Sequence, residues 1–162
     1  YGVLGNHDIF SGPDEIQRAL TKYGVHVLRD ERVELDAGLD LVGAGDLHSE
    51  KGRRASLALA RQGTILLTHN PDMLLALDEE EKQRVGLLIG GHTHGGQVRL
   101  PSLGPILNQA DPRLQPGLNH IPGYPPALVN AGLGYVTLPL RLNRPPQVTI
   151  VDVLPGPLKG AC

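Results

Sequence analysis

Three apolar runs in this chain each end in a polar loop that carries histidine, and that repeated arrangement narrows the folds open to it. Tyr1-Gly2-Val3-Leu4 leads into Gly5-Asn6-His7-Asp8, and Thr64-Ile65-Leu66-Leu67 leads into Thr68-His69-Asn70-Pro71-Asp72. Val85-Gly86-Leu87-Leu88-Ile89, closed by Gly90, leads into Gly91-His92-Thr93-His94-Gly95-Gly96-Gln97. Short apolar runs bounded by turn residues read as buried strands. In open α/β sheets, ligands bind in the crevice outside the carboxyl ends of the strands. Three strand ends bearing histidine, one of them also bearing asparagine, are therefore expected to converge on one site.

The rest of the chain alternates helix and strand signals and then turns to strands alone. Gly12-Pro13-Asp14-Glu15, followed by Ile16, Ala19, Leu20 and Tyr23, is a helix start with proline in the first turn, and Gly24 fits its stop. Strands are predicted over 25–28, 32–35 and 39–43, a helix over 53–61, and an amphipathic helix from Asp72 to about Gln83. Residues 101–126 hold seven prolines (101, 105, 112, 116, 122, 125, 126) and read as a long loop without regular elements. Strand signals return at 127–129, 135–137 and 147–153, and the tail from Pro155 reads as frayed. This order predicts a single layered α/β domain over residues 1–162.

At 162 residues the chain is long enough to bury a substantial core. A net charge of −2 offers no electrostatic reason for nucleic acid or an anionic membrane surface as the main partner. The one cysteine, Cys162, is the last residue, which excludes an internal disulfide and a zinc–thiolate site. Any metal must therefore be held by nitrogen and oxygen. No window reaches the apolar length of a transmembrane helix, and no signal peptide is visible.

His92 and His94 stand two residues apart in a glycine-flanked loop, so their rings can enter one crevice yet reach different targets. Two metal ions about 3.5–4 Å apart need that arrangement. Asn6 offers a neutral oxygen to a hard divalent ion, and His7 a hydrogen bond or proton to a phosphate oxygen. Asp46-Leu47-His48 looks like a metal motif but follows the 39–43 run in mid-chain, and it reads as a solvated loop. His26, within a strand, reads as structural. His120, in the proline-rich stretch, is the candidate for substrate contact.

These residues resemble those of the calcineurin-like metallophosphoesterases. That family reads, in order, Asp-x-His, Gly-Asp, Gly-Asn-His-Asp/Glu, a histidine after a later strand, and Gly-His-x-His. Gly5-Asn6-His7-Asp8, His69 and Gly91-His92-Thr93-His94 match the last three in order and spacing. The Thr-His-Asn-Pro-Asp and Gly-His-Thr-His-Gly-Gly-Gln variants are similar to one bacterial branch. So are Leu103-Gly104-Pro105 and the ending Asn130-Ala131-Gly132-Leu133-Gly134, Leu138-Pro139-Leu140-Arg141 and Arg144-Pro145-Pro146. That branch includes membrane-associated phosphoesterases and enzymes resembling UDP-2,3-diacylglucosamine hydrolases of lipid A synthesis.

The resemblance runs from residue 1 to about 153. It implies a layered α-β-β-α sandwich of the metallo-dependent phosphatase type, lacking its first strands and helix. It implies Asn6, His69 and His92 as ligands of one divalent metal ion, His94 as a ligand of a second, and His7 as the catalytic group at the phosphoryl centre. Mixed His, Asn and Asp ligands suit Mn, Fe or Zn rather than Mg alone. The implied reaction is attack of a metal-held hydroxide on phosphorus, in a phosphoester or pyrophosphate of a phosphorylated small molecule or lipid-linked substrate. No nucleic acid is expected as partner.

The family's Asp-x-His and Gly-Asp segments have no counterpart here, and Asp46-Leu47-His48 cannot replace them, because they precede Gly-Asn-His. The chain opens on Tyr1 inside a strand-like run, which reads as the loss of an N-terminal portion. That portion would carry the bridging carboxylate, localisation signals and any membrane association, so the fragment alone is expected to be inactive or crippled. The expected compartment is the bacterial cytoplasm or the periphery of the inner membrane. Gln147 stands where the branch usually has Glu. Two other readings stay open: a nucleotide or nucleic-acid phosphodiesterase, against which the missing basic stripe speaks, and a non-catalytic scaffold of the same fold. Against the scaffold speak the retained Asn6, His69, His92 and His94.

Overall fold

The computed structural model of the protein describes residues 1–45, 56–106 and 109–154. Its centre is a six-stranded sheet built from β1 (Glu31–Glu34), β2 (Asp40–Gly43), β3 (Thr64–Thr68), β4 (Val85–Gly90), β7 (Gly117–Asn119) and β8 (Ala127–Val129). The order across the sheet is β1-β2-β3-β4-β8-β7. The inner four strands run parallel, and β1 and β7 close the two edges antiparallel. β5 (Arg99–Leu100) and β6 (Gly104–Pro105) form a separate two-stranded ribbon. Helices α1 (Asn6–Ser11), α2 (Pro13–Lys22) and α3 (Glu79–Arg84) complete the mixed α/β architecture.

Side chains alternate across the sheet with period two, so β3 and β4 supply both cores. Leu66 and Leu88 point into the larger cluster, with Val42, Met73, Leu74, Leu114 and Val129 among its members. Ile65 enters the smaller cluster with Leu28 and Leu41, where Leu67, Leu87 and Ile89 remain only partly buried. The first face is closed by the 3-10 turn Pro71–Ala76, which packs against β4 and β8. Each fully buried leucine there is worth roughly 1.5–3 kcal/mol of transfer free energy.

Several expected elements are resolved differently. The runs 1–4 and 25–28 do not extend into a ladder; they meet at one parallel bridge, Gly2 with Val27, flanked by bonds from Gly2 N to His26 O and Leu28 N to Gly2 O. The helix expected from Asp72 to Gln83 is two pieces, the 3-10 turn and then α3. The break falls where Leu77 turns extended and Asp78 caps α3: the Asp78 carboxylate accepts from Glu81 N while Glu81 accepts from Asp78 N. That reciprocal capping box competes successfully with continuation of the helix.

The proline-rich stretch is not wholly irregular, because β6 and β7 lie in it. The strands expected at 135–137 and 147–153 do not form; neither segment joins a ladder, and both are largely exposed. Of the helix expected over 53–61, residues 56–58 are helical and 53–55 lie outside the described residues, as do Asp46-Leu47-His48 and the tail from Pro155. The layered α/β reading holds. Among the described residues, the β ladders outside the main sheet are confined to the ribbon β5–β6.

Candidate metal centre

Parallel neighbours end side by side, and that places the two histidine loops together. Thr68 pairs with Gly90 in the β3–β4 ladder, and the next residues stay locked through a 3.0 Å bond from Gly91 N to His69 O. Beyond His69, Asn70 accepts from Asp72 N and starts the 3-10 turn, so the chain leaves the sheet at once. On the neighbouring side, Leu4-Gly5 enters α1, whose start is held by Asp8 accepting from Gly5 N at 2.8 Å. Gly5 must be glycine: a β-carbon there would sit 2.6–2.9 Å from three atoms of the His69 ring.

Among the described residues, Asn6, His69 and His92 form a half-buried cluster. His69 Nε2 lies 2.9 Å from Asn6 Oδ1 and 2.9 Å from His92 Nδ1. The two rings meet edge to face, 4.7 Å between centroids at 69°. His69 Nε2 carries one hydrogen or one lone pair. With a proton, Nε2 can share its N–H between Asn6 Oδ1 and His92 Nδ1; without it, three lone pairs face one another. A divalent transition ion would take lone pairs from all three, and imidazole with amide oxygen is a suitable donor set for one. Among the described residues no three His, Cys, Asp or Glu side chains gather as a metal cage. Here the third donor is the Asn6 amide.

The other expected residues are placed as follows. His94 lies on the same loop as His92, and its Nδ1 is 3.4 Å from Gly134 O. His7 follows Asn6 in α1 and is exposed. His26 is exposed and faces Glu31 at 3.3 Å. His120 is not brought to the cluster. It follows Asn119, which pairs with Ala127 at the start of β8, whereas the histidine loops lie beyond Gly90, level with Val129 at its end.

The loop itself is strained. His92, His94 and Gln97 have φ of +63°, +48° and +46°, with Gly95 and Gly96 also positive. Left-handed non-glycine residues cost on the order of 1–3 kcal/mol each and persist where surrounding bonds over-determine them. Those bonds come from a segment whose part sequence reasoning did not assign. Gln97 Nε2 donates to Val136 O and Leu138 O, and its Oε1 accepts from Val136 N at 2.7 Å. Gln147 has a comparable task, its Oε1 accepting from Ala131 N at 3.0 Å, which a Glu carboxylate would also do. A glutamine ending a glycine loop was the available signal for the first of these.

Strand ends, a glycine-backed histidine and a His/His/Asn cluster are what a metal-binding α/β domain of the phosphoesterase type would present. The relatives agree. The chain is 31% identical over 161 residues to Phosphodiesterase YaeI of Escherichia coli, covering 95% of this chain and 58% of that protein. It is 32% identical over 167 residues to the uncharacterized metallophosphoesterase YkuE of Bacillus subtilis, covering 91% and 54%. It is 31% identical over 161 residues to an uncharacterized metallophosphoesterase of Helicobacter pylori, covering 94% and 42%. These similarities support the reading of the chain as a calcineurin-like metallophosphoesterase. It spans about half the length of these curated relatives. No family model matches it, and no solved structure matches it.

Proposed function

We propose that Asn6, His69 and His92 hold a divalent transition metal used in the hydrolysis of a phosphoester. The observation that carries this reading is the meeting of Asn6 Oδ1, His69 Nε2 and His92 Nδ1, two contacts of 2.9 Å that bring three potential metal donors together. Held by Asn6, His69 and His92, such an ion would supply Lewis acidity toward a phosphate oxygen and lower the pKa of water. The chain's own residues do the rest. Asn6 and the two imidazoles would fix where that ion sits. His94 extends the site toward a second ion, as the family pattern implies, and exposed His7 presents its imidazole as donor to a phosphate oxygen. Mn, Fe or Zn fits the donors better than Mg.

The substrate class we favour is a phosphodiester or pyrophosphate of a small or lipid-linked molecule. The name of the E. coli relative supports the phosphodiester, and the 130–146 ending supports the lipid-linked branch. Net charge −2 argues against nucleic acid. Among the described residues no helix is long and apolar enough to cross a membrane. The test is equilibrium dialysis of the chain against Mn²⁺, Zn²⁺ and Fe²⁺, beside hydrolysis of bis-p-nitrophenyl phosphate. Binding lost in His92→Ala and Asn6→Ala supports the centre. Equal binding in both variants refutes it.

A further inference from the structure

We propose that Arg141 is a positioning residue that holds the histidine loop in its left-handed, site-forming conformation and sets the orientation of His94. The inference rests on the metal reading above for its functional meaning, but its structural content stands on separate observations. Arg141 spreads its guanidinium over four backbone carbonyls. Nη1 donates to His94 O at 3.1 Å and to Arg144 O at 3.5 Å, Nη2 donates to Ala131 O at 2.8 Å, and Nε donates to Gly134 O at 2.9 Å. A further bond joins Nη2 to Gly134 O.

Two of these carbonyls concern His94 directly. One is its own, which also accepts from Gln97 N at 3.1 Å. The other is Gly134 O, the atom facing His94 Nδ1 at 3.4 Å. A carbonyl held there by Arg141 selects the His94 tautomer with its proton on Nδ1 and leaves Nε2 as the lone-pair nitrogen. Ligating histidines are oriented by this kind of outer contact to the second ring nitrogen. The loop therefore has two clasps: Gln97 reaching out to 136–138, and Arg141 reaching back to His94. Lysine cannot replace the second, because one ammonium does not present a planar fork to carbonyls on several sides.

The experiment compares the 162-residue chain with Arg141→Lys and Arg141→Ala, first without metal. Amide exchange by NMR reads the loop through Gly96 N–H and Gln97 N–H, bonded to Thr93 O and His94 O, and the core through Leu66 and Leu88. We expect loop exchange to rise about tenfold or more in both variants with the core amides unchanged, and the His94 ring ¹⁵N signals to lose their Nδ1–H pattern. Mn²⁺ affinity should then fall about 10–100-fold, the range for outer contacts to metal ligands. Unchanged loop exchange and His94 signals in both variants overturn the proposal, and so does loss of protection at Leu66 and Leu88 as well. Measurable Mn²⁺ binding that is equal in wild type and variants also overturns it while leaving the metal reading intact. If the wild-type chain binds no Mn²⁺ yet the metal-free effects appear, the positioning role stands and the metal reading fails.

Discussion

At Gly95 the backbone is both left-handed, at φ +64°, and covered: a β-carbon would lie 2.7 and 2.8 Å from Arg144 Cγ and Cδ and 3.1 Å from Ala131 Cβ. Gly95→Ala should therefore lower stability by about 1–3 kcal/mol in urea unfolding and displace the loop, because the strain and the clash add. Its neighbours in function separate by role. Asn6→Ala and His92→Ala should each abolish metal binding, since each removes one of three converging donors. His7→Ala should keep the metal and lower turnover of the active protein by about 10²–10⁴-fold, the usual weight of a positioned acid or base. Bound metal and kcat measured side by side check this; loss of metal in His7→Ala would make His7 part of the cage.

At the scale of elements, short segments are held by caps and by one closed core face. Asp78→Ala removes the acceptor for Glu81 N, and the thermal unfolding of the chain should report a loss of about 1 kcal/mol. Leu88→Ala, at a fully buried position between the 3-10 turn and the sheet, should cost about 2–5 kcal/mol. The proline-rich stretch is anchored by Asp111, whose N–H donates to Asp72 and whose carboxylate accepts from the Arg113 side chain and backbone. Those Arg113 bonds pull the Asp111 pKa from 3.8 down to about 2. A depressed carboxylate stabilises the fold above its unfolded pKa and loses that contribution as pH falls through about 2. Carboxyl ¹³C NMR should show this titration, and Arg113→Ala should move its midpoint back toward 3.8.

At the scale of the whole molecule, the sheet closes one face fully and the other in part, with Leu67, Leu87 and Ile89 only partly covered. The C-terminal segment lies beside this frame without joining it. Gln147 N bonds to Gly132 O and Thr149 Oγ1 accepts from Asn130, yet Val148 and Ile150 are 74% and 88% exposed. Amides of Val148, Ile150 and Val151 should therefore exchange at nearly unprotected rates, whereas Leu66 and Leu88 exchange only with global unfolding. Strong protection at Ile150 would mean that a ladder forms there in solution.

The cluster was legible in the sequence to the extent that its chemistry is local. Apolar runs followed by histidine loops announce strands with ligands at their ends, since a buried parallel strand must be apolar throughout and its polar groups gather where it stops. Asp78-x-x-Glu81 was equally readable, although the longer amphipathic pattern around it drew the helix across the break. What only the tertiary structure decided is where two segments distant in the chain must meet. The register Thr68 with Gly90 brings His69 beside His92, and the antiparallel edge strand carries His120 away from them. The run 147–153 has the alternation of a strand, but a strand exists only through bonds to a neighbour, which local pattern does not supply. Arg141 and Gln97 illustrate the same limit. Their partners are backbone carbonyls and N–H groups, which every residue possesses, so no residue type opposite them betrays the contact; the fold alone brings His94 and Gly134 within reach of one guanidinium.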